Sequence, residues 1–292
     1  MNGLIIINKE KNMTSHDVVS RARRILKTKR IGHTGTLDPN ATGVLVLCVD
    51  EGTKLVPYLE QDSKTYIAEV ILGIETDTYD ITGNVLKEEK VDYAIEKIEE
   101  ALNSFVGTYD QYPPIYSSIK VNGKKLYQYA RNNEEVEITP RPVTINFINW
   151  DKKIYNVNGY TAFTIEVDVS KGTYIRSLCH DIGEKLNSCA CMGVLTRTRS
   201  GKFNIKEAIT LSALENGEFK VIEMLDALNY PVINLEDADL LKKVSNGMKI
   251  KSFVIENILN KKPELVTFVV DNKLKAIYEL ENEVYKVSRV WM

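Results

Sequence analysis

The chain contains no apolar run approaching the roughly 20 residues that a membrane-spanning helix needs, so a helical membrane protein is not expected. Its first residues, Met1-Asn2-Gly3-Leu4-Ile5-Ile6-Ile7-Asn8-Lys9, lack a basic segment ahead of the apolar stretch and lack a small-residue cleavage site. That composition does not read as a secretory signal, and a cytoplasmic location is expected. No charge of one sign is in excess: the net charge is −2, which excludes a global electrostatic pull toward nucleic acid. The four cysteines are Cys48, Cys179, Cys189 and Cys191. Cys189-x-Cys191 is tighter than the usual zinc spacing and Cys179 adjoins His180, so free thiols rather than a metal site are expected. There is no G-x-x-x-x-G-K-[ST] phosphate loop, no internal repeat and no low-complexity segment.

What is present is an ordinary globular composition, 43% hydrophobic and 27% charged over 292 residues. That length suits one large domain or a large and a small one. Leu4–Asn8, Ala41–Val49, Tyr66–Leu72 and Thr161–Val169 read as strands. Thr14 or Ser15 can cap a helix reaching about Leu26, with Val18, Val19, Ala22, Ile25 and Leu26 on its apolar face. Periodicity predicts further helices over Asp92–Phe105, with Ile95, Ile98 and Leu102 inward, and over Thr173–Leu186, with Ile175, Leu178, Ile182 and Leu186 inward. Pro113-Pro114 makes Gln111–Gly123 an ordered loop. Composition shifts near Asn229-Tyr230-Pro231. Beyond it, Leu265–Val270, Lys275–Leu280 and Val284–Val290 read as short strands, with turns at Asn246-Gly247 and Asp271-Asn272. A catalytic domain over 1–230 and a small β-rich domain over 232–292 are expected.

Charge is unevenly spread. Arg21-Ala22-Arg23-Arg24-Ile25-Leu26-Lys27-Thr28-Lys29-Arg30 holds six bases and no acid, and it runs straight into Gly32-His33-Thr34-Gly35-Thr36-Leu37-Asp38-Pro39. A second basic cluster is Arg197-Thr198-Arg199-Ser200-Gly201-Lys202. Such runs are most often solvated faces, but two of them around a candidate catalytic loop favour a polyanionic substrate. Arg23, Lys29, Arg197 and Arg199 are the candidate contacts.

The loop itself holds a lone carboxylate. Gly35 permits angles closed to other residues, and Pro39 fixes its own φ and pushes Asp38 out of the helical region. An acid at the mouth of a core strand is a catalytic candidate, although Leu-Asp-Pro taken alone is more often an ordinary turn. Arg176 falls in the first turn of a predicted helix, where a cation is disfavoured unless an anion faces it.

Together these segments resemble the bacterial tRNA pseudouridine synthase B family. The Asp38 segment with Ala41-Thr42-Gly43 is similar to the family's catalytic-aspartate motif. Lys64-Thr65-Tyr66, with Leu72-Gly73 and Thr76-Asp77-Thr78-Tyr79-Asp80, is similar to its tyrosine motif. Pro113–Gly123, Ser170–Leu178 and Leu195–Gly201 follow in the family's order, and the likeness spans roughly residues 3–230. Lys9-Glu10-Lys11-Asn12 departs from it, with Glu10 and Asn12 where the family usually shows Pro and Gly. The C-terminal segment resembles the family's small PUA-like RNA-binding domain more weakly.

The resemblance implies an α+β catalytic domain around a mixed, largely antiparallel sheet. It implies cofactor-free isomerisation of a T-loop uridine of tRNA, at position 55 in conventional tRNA numbering, after the base is flipped out. Asp38 would be the nucleophile or charge stabiliser, Arg176 its partner, and Tyr66 the residue stacked on the uracil. His33 would fill the vacated loop; Lys9, Lys64 and Leu195 match further active-site positions. No metal, membrane or protein partner is implied, and a monomer is expected. Two other readings stand beside it. One is a non-catalytic tRNA-binding or folding module. The other is a metal-dependent phosphoryl-transfer enzyme built on Asp77-x-x-Asp80.

Overall fold

The apolar runs of the first two hundred residues pair into one ten-stranded sheet in the computed structural model, which describes residues 1–291. Its path runs Gly3–Lys9, Thr42–Val49, Ala190–Ser200, Lys64–Leu72, Tyr160–Val169, Arg141–Trp150 and Gly107–Gln111. Neighbours along it are antiparallel. The exception is the parallel meeting of Ala190–Ser200 with Thr42–Val49, where Thr196 faces Thr42 and Arg197 faces Gly43. The sheet is thus mixed and largely antiparallel, as expected.

The central strand Ala190–Ser200 went unpredicted. Its polar half, Thr196-Arg197-Thr198-Arg199, reads as surface, and its pairing with Lys64–Leu72 slips between Met192 and Leu195 and again between Arg197 and Arg199. Each slip breaks the alternation by which a half-buried strand is recognised. Ile31–Thr34 is also a strand, paired with Thr42–Val49, so the irregular segment around Asp38 shrinks to residues 35–41.

The helices form where their apolar stripes predict. Thr14 caps Ser15–Ile25 through a reciprocal bond with Asp17, and Val18, Val19 and Ala22 are buried. Ile95–Asn103 buries Ile98 and Leu102, whereas Ile95, at its first position, is exposed against expectation. Ile175–Lys185 buries Ile175, Leu178 and Ile182 against the sheet face carrying Tyr66, Ala68, Val70 and Phe163. The proline-rich segment ends in a short hairpin, Lys120–Val121 with Lys124–Lys125, followed by a helix at Leu126–Arg131.

From Val232 onward the chain builds a second, five-stranded sheet. It holds the three predicted strands, as Leu265–Val270, Lys273–Glu281 and Val284–Val290, and two helices that were not expected, Ala238–Ser245 and Ser252–Leu259. It has its own core, with Phe268 edge-on to Tyr278. Leu274, Ile277 and Trp291 also pack with Leu55 and Tyr58 of the first sheet's body. The Tyr58 hydroxyl donates to Ser288 Oγ at 2.7 Å, and Trp291 Nε1 donates to the Glu51 carbonyl at 3.2 Å.

Candidate active site

Asp38 sits between two paired strands, Ile31–Thr34 and Thr42–Val49, so both ends of its loop are fixed to the sheet. Leu37 and Ala41 turn into the core beside Tyr66 and Leu195. Three elements then hold the loop by its backbone. Ser15 Oγ accepts from the Leu37 amide at 2.8 Å. Lys9 Nζ donates to the carbonyls of Pro39, Met13 and Glu10 at 3.1, 2.6 and 2.9 Å. Arg197 donates from Nε to Val44 at 2.7 Å and from Nη2 to Gly35 at 3.0 Å. The strands behind the loop approach closely because position 43 is glycine: a Cβ there would lie 2.2 Å from the Arg197 carbonyl oxygen. A loop bonded at Gly35, Leu37 and Pro39 can present one side chain in a fixed direction.

That side chain faces Arg176. Asp38 Oδ2 lies 3.0 Å from Arg176 Nε, and Oδ1 lies 3.4 Å from Nη2. Arg176 also donates from Nη1 to the Thr78 carbonyl at 3.2 Å and from Nη2 to the Tyr116 carbonyl at 3.1 Å. Asp80 Oδ2 stands 3.9 Å from Nη1. The cation at the positive end of its helix is therefore surrounded by two carboxylates and two carbonyls, which removes the electrostatic objection to its position.

Tyr66 is buried in its strand, opposite Val167 on one side and Arg197 on the other, and shares a core cluster with Leu37, Ala41 and Leu195. His33 lies on Ile31–Thr34, half-buried, with Nδ1 unpartnered among the described residues. Burial first, and then Arg197, lower its pKa, so the imidazole is neutral at pH 7. Burial likewise draws Lys9 down to about 8, against the pull of Asp38. Burial and then Arg197 draw Lys64 to about 8, while its Nζ donates to the Glu60 and Asp62 carbonyls just ahead of its strand.

Several candidate RNA contacts are corrected. Arg197 is 1% exposed and both its bonded nitrogens go to backbone carbonyls, so it holds the loop rather than presenting itself to solvent. Arg199 is paired with Asp168 and bonds Thr65 and Ser63. Arg23 turns inward onto the Ile31 carbonyl at 2.9 Å. Lys9 and Lys64 are buried behind the site. Of the basic stretch, Arg21 and Arg30 are paired with Glu215 and Glu51, while Arg24, Lys27 and Lys29 are exposed and in no ion pair among the described residues.

Asp80, which lies in the segment likened to the family's tyrosine motif and is half of the alternative metal-binding pair, stands beside Arg176. Asp77, the other half, instead accepts from the Asn84 amide at 2.8 Å and its Nδ2 at 2.9 Å, closing a turn. The carbonyls of Thr78 and Tyr116 that fix Arg176 had no sequence signal, since any residue supplies a carbonyl.

A family profile described as "TruB family pseudouridylate synthase (N terminal domain)" matches residues 23–175, and one described as "tRNA pseudouridylate synthase B C-terminal domain" matches 176–232. The seam between them falls within the helix bearing Arg176, inside one continuous body. The chain is 44% identical over 296 residues to the tRNA pseudouridine synthase B of Clostridioides difficile, covering 97% of this chain and 92% of that protein. It is 44% identical over 260 residues to that of Bacillus subtilis, covering 86% and 84%. In fold it matches a chain of a Cbf5-Nop10-Gar1 complex with a TM-score of 0.72 at 24% identity, covering all of this chain and 85% of that one. A loop acid held by a helix-borne arginine, on this sheet and in this sequence order, accords with these matches: the chain belongs to the TruB family of pseudouridylate synthases.

Proposed function

We propose that the protein converts the T-loop uridine at position 55 of tRNA into pseudouridine without a cofactor. The N1–C1′ bond breaks, the uracil turns, and C5 bonds to C1′. The hydrogen displaced from C5 is balanced by one gained at N1. Asp38 is the nucleophile, Arg176 keeps it ionised and aimed, and Tyr66 stacks on the uracil and serves the late proton transfer. The observation that carries the reading is the Asp38–Arg176 pair, with an open carboxylate on a buried cation. His33, on the adjoining strand, fills the T-loop once the base leaves it; extrusion costs a few kcal/mol, offset by stacking and phosphate contacts. Lys9, Lys64 and Arg197 act behind the loop, and Leu195 closes the apolar floor. Residues 232–292 form a second RNA-contacting unit on a monomeric, cytoplasmic enzyme.

The test is incubation of purified protein with an unmodified tRNA transcript, followed by mapping of pseudouridine at nucleotide resolution. A single new pseudouridine in the T-loop is expected. Bound but unchanged tRNA would favour a non-catalytic RNA-binding module, and modification elsewhere would overturn the site assignment.

A further inference from the structure

His180 lies four residues beyond Arg176 on the helix Ile175–Lys185, and so on the same face, yet nothing in the mechanism above uses it. Its ring stacks on that of Tyr79, with centroids 4.1 Å apart and planes 26° apart. Tyr79 is the middle residue of the turn that holds Arg176. Thr78, before it, supplies the carbonyl to Arg176 Nη1, and Asp80, after it, stands beside the same nitrogen. One helix face therefore grips one turn twice, Arg176 by the flanks of Tyr79 and His180 by its ring.

The turn is one that needs holding. Tyr79 has a φ of +59°, a left-handed conformation that residues with a Cβ rarely adopt. Its amide donates to the Thr76 carbonyl at 3.1 Å, and its carbonyl accepts from the Met192 amide at 2.9 Å. The His180 side chain, 15% exposed, is set among carboxylates. Nε2 lies 3.5 Å from Oε1 of Glu75, on the strand Ile74–Thr76 that feeds the turn, and Nδ1 lies 3.6 Å from Asp181 Oδ1. Glu184 brings a third carboxylate within 4.8 Å of the His180 and Asp181 ligand atoms. Among the described residues no lysine or arginine pairs with these three acids. A neutral imidazole has one N–H and can donate toward only one of Glu75 and Asp181, whereas the imidazolium donates toward both. Burial, the largest influence, lowers the pKa of His180, but Asp181, Glu184 and Glu75 together outweigh it and raise the pKa above its ordinary 6.5.

We propose that His180 is a positioning residue for the Asp38–Arg176 pair: its imidazolium holds the Tyr79 turn through Glu75 and the ring stack, and its deprotonation loosens that turn. The protonated ring is a flat cation on an aromatic face, a stronger contact than a neutral stack. Once the proton leaves, one ring nitrogen turns a lone pair toward a carboxylate, and the grip on either Glu75 or Asp181 is lost. The Thr78 carbonyl then holds Arg176 Nη1 less firmly, and Asp38 is aimed less well. The effect falls on the chemical step rather than on tRNA affinity, and it grows as pH rises. The inference rests on the pseudouridine reading of the site.

The test compares wild type with His180→Phe, which keeps a ring on Tyr79 without a proton, and with His180→Arg, which keeps a planar cation at every pH. Single-turnover pseudouridine formation in an unmodified tRNA transcript is measured at saturating enzyme from pH 6 to pH 9. The ratio of the wild-type rate to that of His180→Phe should be severalfold at pH 6 and should fall toward its floor by pH 9. His180→Arg should exceed His180→Phe by a factor that does not change with pH, and all three should bind tRNA within severalfold of one another. A wild-type ratio that stays flat across the range, or a loss carried by affinity, would overturn the proposal. A second readout needs no RNA. The chain has three histidines, so the His180 resonance is identified by NMR as the one missing from His180→Phe. It should titrate above 6.5 in wild type and lower in Glu75→Gln, and the melting temperature of wild type minus that of His180→Phe should shrink as pH rises through that titration. A His180 that titrates below 6.5, or that ignores Glu75→Gln, would also overturn it. If wild type made no pseudouridine in tRNA, the proposed reaction would fail, while the titration and melting curves would still decide whether His180 holds the turn.

Discussion

Asp38 and Arg176 meet across 138 residues of chain, Oδ2 to Nε at 3.0 Å, with the carboxylate side chain 43% exposed and the guanidinium 7% exposed. The asymmetry fits the roles proposed above. An exposed acid is open to a ligand, and a buried cation fixed by the Thr78 and Tyr116 carbonyls cannot leave to follow it. In the proposed reaction the arginine orients and the aspartate reacts.

Asp38→Asn keeps the shape and removes the charge. It should fold and bind tRNA within severalfold of wild type, yet form no pseudouridine. Loss of a nucleophile should lower the single-turnover rate by at least about four powers of ten, at about 1.4 kcal/mol per tenfold. Tritium release from 5-tritiated uridine in tRNA measures it. Wild-type release by the variant would remove Asp38 from the chemistry.

Arg176→Lys should also fail, although it keeps the charge. An ammonium cannot meet both carboxylate oxygens from a planar fork while bonding two carbonyls in fixed directions. Most activity should be lost, with tRNA affinity held within severalfold. A strong loss of affinity with an intact chemical step would instead make Arg176 a phosphate anchor.

How far the sequence revealed this site depends on what each residue does. Asp38 and Arg176 were legible because each is locally out of place, an acid on a rigid turn and a cation at a helix start. Strands such as Thr42–Val49 were legible from unbroken apolar runs. Arg197 was misread because a basic residue in a polar run signals surface, and nothing local says that its strand is central or that two carbonyls await its guanidinium. Ile31–Thr34 does not read as a strand because Gly32 and Thr34 give no apolar alternation; only pairing with Thr42–Val49 makes it one. The helices at Ala238–Ser245 and Ser252–Leu259 were too short to outweigh the β-rich pattern around them.

The buried Arg197 guanidinium predicts a stability effect. Arg197→Met would fill similar space but leave the Gly35 and Val44 carbonyls without their donor. Each buried acceptor left unpaired costs about 1–3 kcal/mol. Urea unfolding should therefore show a midpoint clearly below wild type, and activity should fall as the Asp38 loop loosens. A variant as stable as wild type would mean that the loop does not depend on this clamp.

Lys9 gives a pH-dependent signature. Its folded pKa, about 8, lies below the ordinary value of 10.5. Below pH 8 both folded and unfolded chains carry the proton, and burying the ammonium has a constant cost. Between 8 and 10.5 the unfolded chain holds a proton that the folded chain has released, so this group's contribution to stability rises with pH. Lys9→Met lacks that rise, whereas the similar contribution of Lys64 is common to both proteins and cancels. The melting temperature of wild type minus that of Lys9→Met should therefore grow between pH 7 and pH 9.5. A constant gap would show that Lys9 titrates near its ordinary value.

The basic stretch should hold RNA through the residues that the fold leaves free. Arg23 is turned onto the Ile31 carbonyl, and Arg21 and Arg30 face glutamates, whereas Arg24, Lys27 and Lys29 are exposed and in no ion pair among the described residues. Each cation that meets a duplex phosphate adds a little under one unit to the log–log dependence of affinity on salt. Replacing Arg24, Lys27 and Lys29 with Ala should weaken tRNA binding at low salt and flatten that slope by about two units if two or three of them touch phosphates. Arg21→Ala, which removes a cation already paired with Glu215, should change the slope far less. Titrations from about 50 to 200 mM salt resolve the difference. A triple variant with the wild-type slope would move the RNA path off this stretch and onto the second domain.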